Sequence, residues 1–393
     1  MSKYIVFIVT IYFLLYYLFG DYMRLSKIKI DKYLLFSIII FFIISLLSIY
    51  SAQTLLGDNS NFFLKQIVWY ITGFVIVFAI TLVHNESIYK YAWWFYGFLN
   101  ILLLYLLFFG KPINDAKCWI TIPGLGNFQP SEFMKIALIV LLAKLIKEFN
   151  QKYPNPSLKE EFLFLLKIGI VVFIPSILTF LEPDTGVVLI YLLITIIMLF
   201  VSGIRYRWFI ILISTVLIIL GFIISIYFIN NDLFINIFGT SFFLRIDRLL
   251  DWSNKSGYQL ENGLTALASA GFFGHGFNNT PIYFPEPQTD FIFAVYASNF
   301  GFIGSIFLIS IISLFDIRLI LLAINNKKNI NKYIIAGIVG MLIYQQFQNI
   351  GMTFGLIPIT GITLPFISYG GSSLLSYMIM LGIIFNISNV KNN

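Results

Sequence analysis

The chain of 393 residues has few of the residue types on which soluble enzymes and metal-binding proteins commonly rely. It contains one cysteine, Cys118, and two histidines, His84 and His275, which lie far apart in the sequence. A single cysteine excludes an intrachain disulfide and a cysteine-cluster metal site. The sequence also lacks a zinc-ligand motif and a phosphate-binding loop of the Gly-Lys-Ser/Thr type, so nothing in it supports ATP-driven transport.

Charge is scarce as well. Charged residues make up 11% of the chain, against about 25% in ordinary soluble domains. Hydrophobic residues make up 59%, and the mean hydropathy is +0.90. No low-complexity segment and no repeat period is present, so a repeat architecture is not expected. What the chain does contain is a series of apolar runs of roughly 20 residues, the length with which a helix crosses a bilayer of about 30 Å.

These runs predict an all-α polytopic membrane protein with a bundle of about ten transmembrane helices. The run at residues 291–323 is long enough to tilt or kink. An extra run at residues 4–19 has no small-residue cleavage site after it, so we interpret it as a retained helix and not as a signal peptide. The predicted spans are residues 33–52, 62–83, 91–109, 131–146, 162–181, 185–203, 208–229, 291–323, 333–354 and 365–387.

We divide the chain into an N-terminal hydrophobic helix with a basic linker, residues 1–29, and a transmembrane domain, residues 30–393. The domain includes a large polar loop at residues 230–290, well above the usual length of a structureless connection, which by itself suggests function. Within the loop, residues 242–252 and 259–270 have the pattern of amphipathic helices. A purely structural cap is the alternative interpretation of this loop.

The distribution of cations predicts the orientation. Loops at residues 53–61, 182–184 and 353–364 have no Lys or Arg, whereas the alternate loops are basic. By the positive-inside rule the basic loops are cytoplasmic, and the net charge of +7 reflects topology and not nucleic-acid binding. The basic loops contain Arg24, Lys27, Lys29, Lys32, Lys147, Lys152, Lys159, Arg205, Arg207, Lys327, Lys328 and Lys332.

The most informative segment is residues 364–373, Leu-Pro-Phe-Ile-Ser-Tyr-Gly-Gly-Ser-Ser, at the head of an apolar run. A spanning helix carries such a polar island where its backbone packs closely against neighbours or where it faces a wet cavity. The two glycines alone fit both interpretations. The full string, with Ser368, Tyr369 and Ser372, is more specific.

Polar residues also stand at the end of the polar loop at residues 110–130, where the chain returns to the membrane. Pro130 suits the start of a helix, with Gln129 or Ser131 as its cap. Glu132 and Lys135 are three residues apart, so they share one helix face and can neutralise each other. The spacing is typical of a capping pair at the interface. Ionisable groups within a span usually face the bundle interior or a cavity, however, so the pair is also a site candidate.

Two later turns carry carboxylates at the start of predicted spans. In Glu182-Pro183-Asp184-Thr185-Gly186, Asp184 can cap the next helix or contact a ligand, and the sequence favours neither. Asp290 ends the large polar loop, after Glu286 and Thr289. A carboxylate there is partly desolvated, so its pKa should rise toward the range useful to a general base. A helix N-cap is the simpler alternative.

Together these segments resemble the SEDS family, the multi-span membrane glycosyltransferases that include RodA, FtsW and SpoVE. The resemblance spans about residues 30–389. The chain departs from the family pattern at Cys118 and His275, where basic residues are common, and at Ser298 and Asn299, where the family has two glutamates. The matching blocks are Lys117 to Ile120 with Gln129 to Lys135, Glu182 to Gly186, Gly257 to Gln259 with Gly271 to Gly276, Pro285 to Ala294, and Leu364 to Ser373.

The resemblance implies a peptidoglycan glycosyltransferase that polymerises lipid II at the outer face of the cytoplasmic membrane. The family's catalytic aspartate corresponds to Asp290, the expected general base, with undecaprenyl pyrophosphate as the leaving group. Lys117, Arg245 and Arg248 are the cations expected near the departing diphosphate. Mg²⁺ or Mn²⁺ is a further candidate, for which the sequence shows no ligand set. The expected substrate-binding residues are Lys117, Trp119, Gln129, Ser131, Glu132, Lys135, Asp184, Arg245, Glu286, Thr289, Ser368, Tyr369 and Ser372.

The resemblance further implies a class B penicillin-binding protein as partner, together with other elongation or division proteins. Residues 349–361 look closer to RodA than to FtsW, which favours a role in cell elongation and shape over a septal one. Two other classes stay open: a lipid II flippase, in which the same polar residues line a path, and a non-catalytic scaffold. Transporters tend to place ionisable residues near the midplane and to show paired repeats, so the polar residues near one face favour the enzyme.

Overall fold

A computed structural model describes residues 30–57, 61–110, 117–122, 126–240, 242–243 and 257–390. The predicted unit at residues 1–29, Arg245, Arg248 and nearly all of the helix predicted at residues 242–252 lie outside this part of the chain. The helices are α1 (Lys32–Leu56), α2 (Phe62–Thr81), α3 (Asn85–Lys90), α4 (Ala92–Phe109), α5 (Pro130–Lys152), α6 (Leu158–Leu181), α7 (Thr185–Val201), α8 (Tyr206–Ile229), α9 (Asn231–Phe238), α10 (Tyr258–Ser269), α11 (Ile292–Ile324), α12 (Asn329–Thr353) and α13 (Gly371–Val390). Strands β1 (Ile120–Ile122) and β2 (Gly126–Phe128) form a small antiparallel hairpin before α5.

A helix lies at each of the ten predicted spans, and the polytopic all-α fold is confirmed. Within the described residues, seven helices are long and apolar enough to cross a membrane, and α7 is a shorter apolar helix. The two other helices at predicted spans, α5 and α12, carry more polar side chains. They are accommodated because both are largely buried among the other helices. Helix α10 matches the helix predicted at residues 259–270, whereas α9 and the hairpin were not predicted.

Helix α5 lies at the centre of the bundle. Every residue from Pro130 to Ala143 is buried, and α5 packs against α4, α6, α7, α12 and α13. Helix α8, in contrast, is almost entirely exposed, since Tyr227 is its only buried residue. The start of α8 is nevertheless fixed, since the indole N–H of Trp208 donates to Glu161 at 2.8 Å.

The run at residues 291–323 was expected to tilt or kink, and the structure shows a kink. Gly301 interrupts α11 with φ 66° and ψ −159°, a conformation that is essentially restricted to glycine. The loop that follows α10 fits into this break: the amide of His275 donates to Ser298 O at 2.9 Å, and that of Gly276 donates to Asn299 O at 3.1 Å. The backbones of Gly274 and Gly301 touch so closely that a Cβ on either would overlap the other segment.

The last predicted span, residues 365–387, begins too early, because α13 starts only at Gly371. Residues 364–370 form an irregular buried segment in which Phe366 has φ 65°. Hydrogen bonds from α1 and α2 hold this segment: Ser45 donates to Ile367 O at 2.8 Å, and the hydroxyl of Tyr70 donates to Phe366 O. The first half of the polar island, residues 364–368, is therefore a buried turn before the helix.

Candidate functional site

The N-termini of α2, α5, α7, α11 and α13 meet at one end of the bundle around a cavity of about 900 Å³. We call it the Asp290 cavity. Most of the predicted site residues, which come from five separate segments of the sequence, line it together. Those that line it are Trp119, Gln129, Glu132, Asp184, Glu286, Thr289, Asp290, Tyr369 and Ser372.

Asp290 is half-buried immediately before α11. It does not cap this helix, since the N-cap is Phe291, which makes no side-chain capping bond. None of the described residues donates a hydrogen bond to its carboxylate. Its backbone is fixed instead: the side-chain amide of Asn349 donates to Asp290 O at 2.9 Å and to Ile362 O at 2.8 Å. Burial, and then the charges of Glu286 and Asp184, raise the pKa of Asp290 to about 7.

The segment before Asp290 is held by the C-terminal motif. The amide of Tyr369 donates to Gln288 O at 2.8 Å, and the hydroxyl of Ser368 donates to Thr289 O at 2.7 Å. Within the segment, Glu286 accepts from the hydroxyl of Thr289 at 2.8 Å. Ser368 is buried and does not line the cavity, so its contact with Thr289 O positions the segment that carries Asp290.

Gln129 links Asp184 and Ser372 in another wall of the cavity. Its side-chain amide donates to Asp184 at 2.9 Å, and its backbone N–H donates to the hydroxyl of Ser372 at 3.0 Å. The predicted side-chain cap of α5 by Gln129 or Ser131 is wrong, because Gln129 is engaged in these contacts and makes no capping bond. The Ser131 hydroxyl is buried with no partner among the described residues.

Of the two roles that the sequence left open for Asp184, helix capping is observed, and its side chain also lines the cavity. It caps α7 by accepting from Val187 N–H at 3.2 Å, and its other oxygen faces Gln129. Burial raises the pKa of Asp184 to about 6, against the opposing effect of the Val187 hydrogen bond. Asp184 therefore borders the cavity as a weakly acidic carboxylate beside a helix N-terminus.

Glu132 and Lys135 form the predicted pair. Lys135 is fully buried, and its ammonium donates to Glu132 at 2.8 Å and lies 5.3 Å from the centre of the Tyr377 ring. Glu132 lines the cavity, whereas Lys135 lies behind the wall and does not. Lys135 thus neutralises a carboxylate of the wall from the inside of the bundle.

Glu182 is the least expected group near the site. Its side chain is buried, and neither carboxylate oxygen has a partner among the described residues. Cys118 lies against it, donating its S–H to Glu182 O at 2.8 Å. Burial, followed by the charge of Asp184, raises the pKa of Glu182 to about 8. The group is thus largely protonated and neutral at pH 7.

Sequence reasoning missed two contributors to the cavity and its support. Lys65 is the only cation that lines the cavity among the described residues, and Asn349 fixes the Asp290 backbone. Two features of the sequence could have indicated them: Lys65 is a cation near the start of an otherwise apolar span, and Asn349 is a polar amide within another span. Lys117, which was predicted, is exposed and does not line the cavity, and Arg245 lies outside the described residues.

The carboxylates of the cavity do not form a metal site by themselves. In the described part of the chain, no group of three or more His, Cys, Asp or Glu side chains is placed to hold a metal ion. Mg²⁺ is commonly held by one or two carboxylates together with substrate phosphates. The residues present therefore do not fit a resident divalent ion, although single carboxylates such as Glu286 could contact an ion that a diphosphate brings.

The chain is similar in sequence to a group of cell-wall proteins. The family model for FtsW, RodA and SpoVE, described as cell cycle proteins, matches residues 27–393. Stage V sporulation protein E of Bacillus subtilis is 31% identical over 93% of this chain and 99% of its own length. Probable peptidoglycan glycosyltransferase FtsW of Lactococcus lactis is 34% identical over 70% of each chain. Peptidoglycan glycosyltransferase RodA of Treponema pallidum is 28% identical over 91% of this chain and 97% of its own.

Solved structures share the fold. A chain from a structure described as a peptidoglycan synthase complex that coordinates polymerization and crosslinking has a TM-score of 0.77 at 23% identity, covering 93% of this chain and 99% of its own. The rod shape determining protein RodA of Thermus thermophilus has a TM-score of 0.67 at 23% identity, covering 93% and 98%. At this identity the similarity concerns the arrangement of helices.

Proposed function

Because the chain belongs to the FtsW, RodA and SpoVE family of cell cycle proteins, we propose that it is a peptidoglycan glycosyltransferase that polymerises lipid II into glycan strands. Relatives that match most of its length are named peptidoglycan glycosyltransferases. The observation that carries the proposal is the state of Asp290: a half-buried carboxylate with a pKa of about 7, free of a capping bond, at a cavity of about 900 Å³.

In the proposed reaction Asp290 accepts the proton of the acceptor sugar's 4-hydroxyl. The oxygen forms a bond to the anomeric carbon of the growing chain while the bond from that carbon to the diphosphate breaks, with inversion. Undecaprenyl pyrophosphate leaves with the electron pair. A base whose pKa lies near the working pH is suited to this step, because it is partly ionised yet still basic enough to take the proton.

The leaving diphosphate requires positive charge, since stabilising charge that develops in the transition state is usually the largest catalytic contribution. Lys65 supports this role by its position at the cavity. We assign the same role to Lys117, which is exposed beside Cys118, and to Arg245 and Arg248. We expect any Mg²⁺ or Mn²⁺ to enter with the diphosphate, and no step of the proposed reaction depends on it.

The remaining cavity residues are proposed to bind the sugars and the peptide. Gln129, Glu132, Asp184, Glu286 and Thr289 present amide, carboxylate and hydroxyl groups along the walls. The proposed contributions of Trp119 and Tyr369 are apolar surfaces, and that of Ser372 is a hydroxyl at the start of α13. Ser131, Lys135 and Ser368 support these walls from behind.

We infer that the protein lies in the bacterial cytoplasmic membrane with the Asp290 cavity outside, where a lipid-linked donor is presented. The positive-inside rule supports this orientation, since Lys147, Lys327 and Lys328 lie at the other end of the bundle. A class B penicillin-binding protein is proposed as the partner. A role in elongation is proposed on the resemblance of residues 349–361 to RodA.

The test is lipid II polymerisation by the purified full chain with its cognate penicillin-binding protein. We expect glycan strands from the wild type, and a fall of about 10²-fold or more for Asp290→Asn or Asp290→Ala, the usual range for loss of a general base. The matched control is Asp232→Asn, because Asp232 is exposed on α9 outside the cavity and should leave the rate unchanged.

Each outcome decides one part of the proposal. Equal product from the wild type and from a well-folded Asp290→Asn protein would remove Asp290 from the mechanism. If the wild type makes no product while the same preparation moves lipid II across vesicles, the chain is a flippase. Binding of the partner without polymerisation or transport would indicate a scaffold.

A further inference from the structure

A second cavity, of about 880 Å³, lies at the end of the bundle opposite the Asp290 cavity. It is bordered by the C-terminal parts of α5 and α13, by α3, and by the connection from α11 to α12. Its size is similar to that of the Asp290 cavity, and the proposed polymerisation does not use it. Lysines are its most conspicuous lining, so we call it the lysine cavity: Lys90, Lys144, Lys147, Lys327 and Lys328.

The charges in the lysine cavity do not balance. Five lysines face two glutamates, Glu86 and Glu148, which leaves a formal charge of +3 with histidine neutral. An ion pair joins Lys328 to Glu86 at 3.0 Å. That hydrogen-bonded ammonium, and secondarily the charge of Lys147, lower the pKa of Glu86. Glu86 therefore balances Lys328 and leaves the excess positive charge of the cavity in place.

Neutral polar groups form the floor of the lysine cavity, and hydrogen bonds hold them in place. The side-chain amide of Asn386 donates to Val83 O at 2.7 Å and to Ile80 O at 2.9 Å. The hydroxyl of Tyr89 donates to Asn331 at 3.0 Å. Because these neutral groups are already hydrogen-bonded, they hold the shape of the cavity, and Lys144, Lys147 and Lys327 supply its remaining hydrogen-bonding capacity. A ligand that supplies several acceptor oxygens and negative charge would complement it.

The cavity lies at the level of a membrane interface. Trp93 and Trp94 lie in the first turn of α4, shortly after Lys90, and Trp94 is 79% exposed. Tryptophans concentrate at the boundary between hydrocarbon and headgroups. The spanning helices α2, α5 and α13 also end at this cavity. A charged ligand in this cavity would lie at the depth of the lipid headgroups, next to the hydrocarbon of the bilayer.

We propose that the lysine cavity binds the phosphate headgroup of an anionic phospholipid. Basic pockets between transmembrane helices are suited to such headgroups. The position at headgroup depth favours a lipid over a free phosphate, although both offer the same phosphate oxygens to Lys144, Lys147 and Lys327. Lys152 and Lys159 are exposed at the same end of the bundle, as Lys147 and Lys327 are, but they do not line the cavity.

The test measures lipid binding by the purified full chain. Wild-type protein in neutral detergent is titrated with phosphatidylglycerol or phosphatidylcholine, and bound lipid is counted by native mass spectrometry. We expect selective retention of phosphatidylglycerol. Lys147→Gln/Lys327→Gln should weaken it about 30-fold, the loss expected for two basic residues at an anionic membrane surface. Lys152→Gln/Lys159→Gln removes the same charge from the same end outside the cavity and should change binding by less than about threefold.

Three results would overturn the proposal: no preference of the wild type for phosphatidylglycerol, an equal loss in both double variants, or displacement of the lipid by equimolar inorganic phosphate. The second would assign the attraction to net charge, and the third would make the site one for soluble phosphate. A polyglutamate peptide that outcompetes the lipid would assign the cavity to an acidic protein segment. Thermal unfolding of each variant in the same detergent checks that its fold is intact.

Discussion

At the scale of single residues, the environment of each carboxylate sets its chemistry. Asp290 and Asp184 both border one cavity, but Asp184 accepts hydrogen bonds from Val187 and Gln129, while Asp290 receives none from the described residues. Their pKa values accordingly rise to different extents, to about 6 for Asp184 and about 7 for Asp290. The carboxylate that accepts fewer hydrogen bonds is the better base, which is the property that the proposed reaction requires.

The pH dependence of polymerisation follows from the pKa of Asp290. A protonated carboxyl cannot accept a proton, so the rate should rise with pH and level off above about pH 7. One pH unit below that value, about a tenth of the plateau rate is expected. Initial rates from about pH 5.5 to 8.5 at constant ionic strength test this. A rate that is flat across the acid half would contradict a base with this pKa; Asp232→Asn should follow the wild-type curve.

Glu182 should affect stability more than catalysis. Its folded pKa, about 8, lies above the ordinary value of 4.5, so the folded state binds the proton more tightly and stability falls as pH rises between these values. The full difference is at most about 5 kcal/mol. Glu182→Gln keeps the shape and removes the titration, so the melting temperature in detergent should decline less between about pH 5 and 8.

The control for Glu182 is Glu148→Gln, an exposed glutamate at the other end of the bundle. Its melting temperature should follow the wild type at every pH. Parallel wild-type and Glu182→Gln curves would show that Glu182 is ionised in the folded protein.

At the scale of elements, the interruption of α11 joins two segments that the sequence separates. The loop after α10 hydrogen-bonds to the backbone carbonyls that the break at Gly301 leaves unpaired within the helix. The same helix follows directly after Asp290, so the break anchors the helix that the cavity-lining segment leads into. Loss of the break would therefore disturb both the loop and the site.

Gly301→Ala is expected to be strongly destabilising. A Cβ at this position would lie 2.6 Å from the backbone of Phe272 and closer still to Gly274 N, and φ is 66°. Backbone strain and overpacking together suggest a loss of roughly 2–4 kcal/mol. Gly97→Ala in α4 is the control, because its Cβ would meet nothing within 4 Å. A melting temperature for Gly301→Ala within one degree of that control would refute the close approach.

At the scale of the whole molecule, apolar runs predicted the positions of the helices because the bilayer fixes their length. The Glu132–Lys135 pair and the Asp184 cap were also predictable, since both depend on residues a few positions apart. The start of α13 was not, because residues 365–367 are as apolar as a helix. Their conformation depends on Tyr70 and Ser45, about three hundred positions away in the sequence, a contact that local pattern cannot reveal.

The single cysteine allows the orientation of the whole molecule to be tested. In a Cys118→Ala background, Leu356→Cys places a thiol at the end with the Asp290 cavity, where Leu356 is 67% exposed. Lys147→Cys places one in the lysine cavity. In intact cells whose outer layers have been removed, a membrane-impermeant maleimide should label position 356 at once and position 147 only after permeabilisation. The reverse pattern would invert the proposed topology.

The burial of α5 has a consequence for how the protein is made. Its first turns carry Glu132 and Lys135, and ionisable side chains within a spanning helix are costly in lipid unless they face the interior of the bundle. Alone in lipid, α5 would expose that pair; among its neighbours, Lys135 is fully enclosed. We therefore expect α5 to be stable in the membrane only together with partners such as α4 and α6. Biogenesis of the central helix thus depends on segments synthesised both before and after it.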